Sequence, residues 1–112
     1  MKYGLKCSDI ESVCAVFASY PQVTRALLYG SRAKGNYRNG SDIDLTLEGD
    51  GTLTLDVLYR ISDELDDLLL PYTIDLSILA NISDPELLEH IQRVGKVFYE
   101  QRNACSDGVT SA

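Results

Sequence analysis

The sequence predicts one small α/β (α+β) domain, in which a mixed β-sheet of three or four strands carries helices mainly on one face. Three observations predict it: a length of 112 residues, two short segments in which apolar and polar residues alternate, and several longer segments with apolar residues at helical spacing. A chain of this length has room for one hydrophobic core but not for two. We therefore expect a single domain over residues 1–102 and a small, polar, disordered tail over residues 103–112.

The first part of the chain is predicted to run from a helix into a buried strand. Ser8-Asp9-Ile10-Glu11 has the pattern of a capping box, which predicts a helix over about Asp9–Ser19. Tyr20-Pro21 ends that helix. The apolar and aromatic run Val23–Tyr29 then predicts a buried strand that leads directly into Gly30.

Two later segments combine an apolar face with an acidic one, because successive side chains of a strand point to opposite faces. In the first segment the polar face comprises Asp42, Asp44, Thr46 and Glu48, and the core face comprises Ile43, Leu45 and Leu47. The segment Thr73–Leu79 repeats the pattern with Asp75 on its polar face. If the two strands are neighbours, three carboxylates cluster and repel one another unless protons or cations neutralise them. Hard oxygen ligands of this kind suit Mg²⁺.

The second half of the chain is predicted to contain two helices and a short last strand. Apolar spacing from Thr54 onward predicts an amphipathic helix that Pro71 closes. Ser83-Asp84-Pro85-Glu86 predicts a second helix that Gly95 stops, and Lys96–Glu100 follows as a short strand. The core-facing residues are Leu55, Leu58, Ile61, Leu65 and Leu68 in the first of these helices and Leu87, Leu88, Ile91 and Val94 in the second.

A glycine-containing turn joins the buried strand to the first acidic segment. Gly30 and Gly35 allow the backbone to turn tightly and to approach a ligand, and Ser31 adds a hydroxyl beside main-chain N–H groups at the start of a short helix. Three positive charges follow within seven residues, on Arg32, Lys34 and Arg38. The turn therefore favours an anion, phosphate in particular, although the three cations could equally form a solvated loop surface.

Together these elements resemble the signature of the minimal nucleotidyltransferases of the DNA polymerase β superfamily. The residues that carry the resemblance are Gly30-Ser31-Arg32-Ala33-Lys34-Gly35, Ser41-Asp42-Ile43-Asp44-Leu45 and Asp75. The likeness extends from about Ala26 to Leu79, and it is specific because three separated elements agree in order and spacing. It implies the nucleotidyltransferase fold and the transfer of a nucleoside monophosphate, AMP from ATP, to a hydroxyl.

The resemblance also implies a role for each signature residue. Gly30 and Ser31 would hold the nucleotide's phosphates, with Arg32 and Lys34 as further candidate contacts. The metal-binding residues would be Asp42, Asp44 and Asp75, which together would hold two Mg²⁺ ions when nucleotide is bound. In this scheme Asp75 completes one metal site and helps to activate the attacking hydroxyl.

The acceptor is not readable from the residues, but the resemblance implies a separate partner. Small proteins of this type are paired with an all-helical protein of the HEPN class, either as two-protein transferases or as toxin and antitoxin, in which AMP is attached to a tyrosine of the partner. We therefore expect a hetero-oligomer. Two alternatives stay open: a catalytically silent module that neutralises its partner by occlusion, and a nucleotide-sensing regulator.

Composition narrows the function classes further. A net charge of −7 and a pI near 4.5 argue against stable nucleic-acid binding, which needs a basic surface. The sequence shows no 18-residue apolar run and no signal-peptide pattern, so we expect no membrane association and a cytoplasmic location. The three cysteines, Cys7, Cys14 and Cys105, lack metal-site spacing and are expected to be reduced thiols.

Rival interpretations of the same motifs are weaker. An EF-hand loop would need Asp or Asn where Thr46 stands and Gly where Leu47 stands. A P-loop would need wider glycine spacing and a following Gly-Lys-Ser/Thr. Taken alone, the acidic pair would be a solvated strand face, and His90 is predicted to be a surface or helix-packing residue.

Overall fold

The computed structural model describes residues 3–38 and 40–101, which form a four-stranded mixed sheet flanked by helices. In chain order its elements are α1 (Cys7–Ala18), β1 (Val23–Tyr29), α2 (Ser31–Lys34), β2 (Ile43–Gly49), α3 (Leu55–Asp67), β3 (Ile74–Ile78), a 3₁₀ turn (Leu79–Asn81), α4 (Pro85–Val94) and β4 (Lys96–Glu100). The predicted mixed α/β architecture is confirmed. The tail predicted over residues 103–112, which includes Cys105, lies outside the described residues.

The strand order is β3-β2-β1-β4, and the strands do not all run in the same direction. β1 is antiparallel to both β2 and β4, whereas β2 and β3 are parallel. A parallel pair needs a crossover connection, which α3 provides. Because β2 and β3 are parallel, the residues with which they begin lie at the same end of the sheet.

The main hydrophobic core lies between one face of the sheet and the helices α1 and α3. Phe17 of α1 and Ile61 of α3 are fully buried against Leu28 and Leu45 of the two central strands. The predicted core face of β2 is buried along its whole length. Burying each such side chain contributes about 1.5–3 kcal/mol, so this face supplies the stability of the domain.

The other face of the sheet is covered by α4, and only in part. Ile91 of α4 is buried outside the main core, and it lines a groove with Leu27 and Val97. Thr46, predicted to lie on a polar face, is also fully buried, and its hydroxyl accepts a hydrogen bond of 2.9 Å from Ser77. The polar face of β2 is therefore closed in the middle of the strand by its parallel neighbour.

The helix starts differ from the predicted ones in two places. Ser8 does not cap α1, because the Lys6 carbonyl already accepts bonds from Asp9 and Ile10, and the helix begins at Cys7. In α4 the N-cap is Asp84 rather than Ser83: its carboxylate accepts the Glu86 N–H at 3.0 Å, with Pro85 in the first turn.

The predicted strand over Lys96–Glu100 is confirmed as β4, and Gly95 ends α4 as expected. Within the described ranges, every helix is too short or too polar to span a lipid bilayer.

The cap assignment of α4 is testable. We expect Asp84→Ala to lower the free energy of unfolding by about 1 kcal/mol, because the substitution orphans the Glu86 N–H, and Ser83→Ala to change it by less than about 0.5 kcal/mol. Urea denaturation measures both values. Equal losses from the two variants would contradict the assignment.

Candidate active site

Two acidic side chains meet at the start of the parallel strand pair. Asp44 of β2 and Asp75 of β3 are direct register partners, so they lie side by side on one face of the sheet. Asp42 lies two residues before Asp44, just ahead of β2, and is exposed like Asp75, whereas Asp44 is half-buried. The predicted adjacency of the two acidic strands is confirmed.

Two neighbouring carboxylates act on Asp44. The pKa of Asp44 is raised above its ordinary value first by burial, then by the negative charges of Asp75 and Asp42, while the neighbouring His90 acts in the opposite direction. Placing like charges together costs free energy unless a proton or a cation offsets them. A proton or a cation bound at the cluster would therefore lower its electrostatic free energy.

Tyr29, the last residue of β1, borders the cluster. It is the register partner of Asp44. Burial raises the pKa of its phenol, the charges of Asp44 and Asp75 raise it further, and a hydrogen bond with Ser77 lowers it. Its hydroxyl is therefore protonated at neutral pH and places a neutral donor next to the acids.

The glycine-serine turn lies directly against Asp44. β1 ends at Tyr29, and Ser31 begins the four-residue helix α2, which confirms the predicted sequence of strand, turn and short helix. Gly30 has a φ of 76°, in the region that favours glycine, and a methyl group there would overlap the Asp44 carboxylate. Both the backbone angle and the available space therefore require glycine.

Arg32 does not have the environment expected of a phosphate contact. Only 3% of the residue is exposed. Its Nε and Nη2 donate to the Ser41 carbonyl at 3.1 and 2.8 Å, and Nη1 donates to the Tyr3 carbonyl at 2.8 Å. The guanidinium also lies 5.2 Å from the ring centroids of both Tyr37 and Tyr72.

Through these contacts Arg32 stabilises the local backbone. The planar guanidinium fork matches backbone carbonyls and stacks on aromatic rings. Because Ser41 immediately precedes Asp42, the fork fixes the chain at the point where the acidic strand begins. Lys34, the other predicted phosphate contact on α2, is exposed at the end of that helix.

His90 of α4 reaches the same place from 60 residues away in the chain. Its Nε2 accepts the Gly30 N–H at 3.2 Å, and its ring meets Tyr29 edge-on, with centroids 6.3 Å apart and an interplanar angle of 82°. Sequence reasoning assigned His90 to packing and missed the contact with the turn. The sequence carried no signal for it, since a single histidine on an amphipathic helix has no motif partner.

The donor set suits Mg²⁺ more than a softer metal. Among residues 3–38 and 40–101, no three His, Cys, Asp or Glu side chains converge closely enough to form a ready-made metal cage. Mg²⁺ is usually held by one or two carboxylates together with substrate phosphate oxygens. The register pair Asp44 and Asp75 offers such carboxylates, and the raised pKa of Asp44 indicates negative charge that a cation would offset.

Comparison with known proteins identifies the family and the fold of this chain. The family model described as polymerase beta, nucleotidyltransferase matches residues 11–104. A structure described as a minimal nucleotidyltransferase is 25% identical, has a TM-score of 0.65, and is matched over 86% of this chain and 95% of the other. A search of the curated proteins finds none whose sequence matches this chain.

Two toxin–antitoxin structures share the fold. One, a toxin-antitoxin with AMP-PNP, has a TM-score of 0.66 and 21% identity over 89% of this chain and 77% of that chain. The other, a tri-AMPylated Shewanella oneidensis HEPN toxin in complex with an MNT antitoxin, has a TM-score of 0.61 and 17% identity over 87% and 74%. At these identities the likeness shows the fold alone, and the predicted nucleotidyltransferase fold is confirmed.

The demand for glycine at position 30 can be tested with a matched control. Gly35 also has a positive φ, of 89°, but a methyl group there meets no atom within 4 Å. We expect both Gly30→Ala and Gly35→Ala to cost about 1–3 kcal/mol of backbone strain, with the larger loss at Gly30. Only Gly30→Ala should also displace the Asp44 carboxylate, visible as a shift of its ¹³C resonance; an unmoved resonance would contradict the contact.

Because the pKa of Asp44 is raised, the stability of the folded domain depends on pH. The native pKa of Asp44 lies above the unfolded value, so the native state binds more protons between the two values, and stability falls as pH rises through that window. Without divalent cations, Asp44→Asn should therefore raise the Tm at pH 7 by roughly 2 °C, a value discounted for partial exposure.

This gain should disappear as the pH approaches 3.8, the ordinary pKa of an aspartate. The exposed substitution Asp66→Asn removes the same charge elsewhere and is the control. Thermal denaturation followed by circular dichroism measures both variants. A lower Tm for Asp44→Asn than for the wild type at pH 7 would contradict the repulsion.

Proposed function

This chain belongs to the polymerase β nucleotidyltransferase family, and from that premise we propose that it transfers AMP from ATP to a hydroxyl group of a partner protein. The single observation that carries the proposal is the register pairing of Asp44 with Asp75 directly against the Gly30 turn. A turn suited to phosphate and carboxylates suited to Mg²⁺ are thereby adjacent, as a metal-assisted phosphoryl transfer requires.

In the proposed reaction, the acceptor oxygen forms a bond to the α-phosphorus of ATP, and the bond from that phosphorus to the pyrophosphate oxygen breaks. Pyrophosphate leaves with the electron pair, and the Asp75 carboxylate accepts the proton of the acceptor hydroxyl. Gly30 and Ser31 hold the phosphates, with Lys34 near enough in sequence to add a positive charge.

Asp42, Asp44 and Asp75 would hold Mg²⁺, which when bound neutralises the phosphate charge and stabilises the entering and leaving oxygens. Arg32 has a different part in the proposal from the one expected from the sequence. It orders the segment before Asp42 through the Ser41 carbonyl, instead of contacting phosphate. Tyr29, the register partner of Asp44, lies beside the acids.

The partner is proposed from the similar structures. One of them is a toxin-antitoxin with AMP-PNP and another contains a tri-AMPylated HEPN toxin. By analogy, we propose that the acceptor is a tyrosine hydroxyl of an all-helical HEPN-class protein, that the two chains form a hetero-oligomer, and that the reaction takes place in the cytoplasm. The acidic charge of this chain suits a basic partner surface.

Transfer can be measured by mass spectrometry of the HEPN-class protein that co-purifies with this chain, after incubation with Mg²⁺ and ATP. We expect the partner to gain one or more AMP groups. Asp44→Asn should lower the rate by about 100-fold or more, because it removes charge stabilisation at the reacting phosphate. Asp66→Asn, the exposed control, should keep the wild-type rate.

Other outcomes identify the alternatives. ATP binding without pyrophosphate release with the partner would favour a nucleotide-sensing regulator. Full neutralisation of the partner by an Asp42→Ala and Asp44→Ala double variant, with no nucleotide bound, would favour a silent binding module. Either result would overturn the proposed transfer.

A further inference from the structure

We infer that His90 is a positioning residue, which ties helix α4 to the nucleotide-binding turn and holds Gly30 in place against Asp44; this role rests on the proposed function of the turn. The inference comes from two contacts that reach Gly30 from distant parts of the chain. Strand β2 supplies Asp44, and α4 supplies His90, whose ring also meets the preceding Tyr29.

The hydrogen bond to Gly30 fixes the state of the imidazole ring. The Gly30 N–H donates to Nε2 at 3.2 Å. Nε2 is therefore the acceptor nitrogen, and the proton of the neutral ring is on Nδ1. Because the Gly30 N–H is occupied by the protein, Gly30 contributes to the proposed phosphate site through the close approach of its backbone, and the N–H donors for phosphate begin at Ser31.

The ring is held firmly enough to position a backbone. His90 is half-buried and meets the edge of Tyr29 at an interplanar angle of 82°. Its neighbour Ile91, only 3% exposed, anchors the same turn of α4 against the sheet. Because packing on both sides fixes the Nε2 acceptor, the hydrogen bond also fixes the orientation of the peptide plane that contains the Gly30 N–H.

The orientation of that peptide plane matters because Asp44 approaches the turn closely. Gly30 adopts a φ of 76° and a ψ of −157°, and it has no space for a side chain beside Asp44. A glycine left without the hydrogen bond would sample a wider range of backbone angles. His90 thus couples the location of α4 to the distance between the turn and the acids.

The unmodified protein offers a direct test. NMR of the nucleotide-free chain should show a scalar coupling across the hydrogen bond between the Gly30 nitrogen and His90 Nε2, and slow exchange of the Gly30 amide proton. This measurement does not depend on any enzymatic activity. A rapidly exchanging Gly30 amide with no such coupling would overturn the inference, even if the transfer reaction is demonstrated.

A pair of variants separates positioning from simple packing. His90→Leu keeps apolar packing at this position but removes the hydrogen-bond acceptor. His90→Gln keeps an acceptor oxygen, on a flexible side chain. We expect His90→Leu to raise the KM for ATP about tenfold, the size of effect expected for one lost hydrogen bond, and to speed exchange of the Gly30 amide. His90→Gln should stay within about threefold of the wild-type KM.

The control is Glu89→Gln, on the exposed side of the same helix turn, which should change neither quantity. A residue that only supported the fold would lower the fraction of active protein, and therefore the apparent kcat, while the KM stayed constant. An unchanged KM in His90→Leu, or equal effects of His90→Leu and His90→Gln, would overturn the positioning role. If wild-type protein transfers no AMP, the proposed function fails while the NMR measurement still decides on His90.

Discussion

The negative charges of Asp75 and Asp42 repel that of the half-buried Asp44 at the start of β2 and β3, and the elements around Asp44 are arranged about this repulsion. The parallel register places Asp44 and Asp75 side by side, and Asp42 adds a third charge close to them. Such a cluster destabilises a domain unless it is offset. The fold tolerates the cluster because the opposite face of the same strands, packed against α1 and α3, supplies a continuous buried core. The buried face of the sheet thus offsets the free-energy cost of the acidic cluster on the opposite face.

Two arginines make contacts within the protein that leave the acidic cluster open. Arg25 pairs with Glu48 at 2.7 Å, at the far end of β2. Arg32, closer to the site in sequence, directs its donors to the carbonyls of Ser41 and Tyr3. The protein thus orders the backbone around Asp42 with a cation without neutralising the acids themselves. The negative charge of the cluster therefore stays available to a cationic ligand.

Helix α4 contacts both the sheet and the glycine turn. Through Ile91 it closes part of the polar face of the sheet, and through His90 it reaches the turn that borders the acids. The half-buried Asp44 lies between that turn and β3, whereas Asp42 and Asp75 are exposed. The candidate site therefore has an inner part, made of Gly30 and Asp44, and an outer part that solvent can reach. In the proposed reaction, an inner part ordered in advance would require less reorganisation when the substrate binds.

Local and periodic information in the sequence predicts the alternation of acids and apolar residues in β2 and β3, the amphipathic helices, and the glycine turn after a buried strand. These were predictable because side-chain direction follows from backbone period. Only the tertiary structure decided that Arg32 is buried, that Thr46 is covered, that Asp84 rather than Ser83 caps α4, and that His90 meets Gly30 from 60 residues away. Each of these depends on which atoms compete for the same donor or the same space after the chain has folded, and neither charge nor spacing in the sequence records that competition.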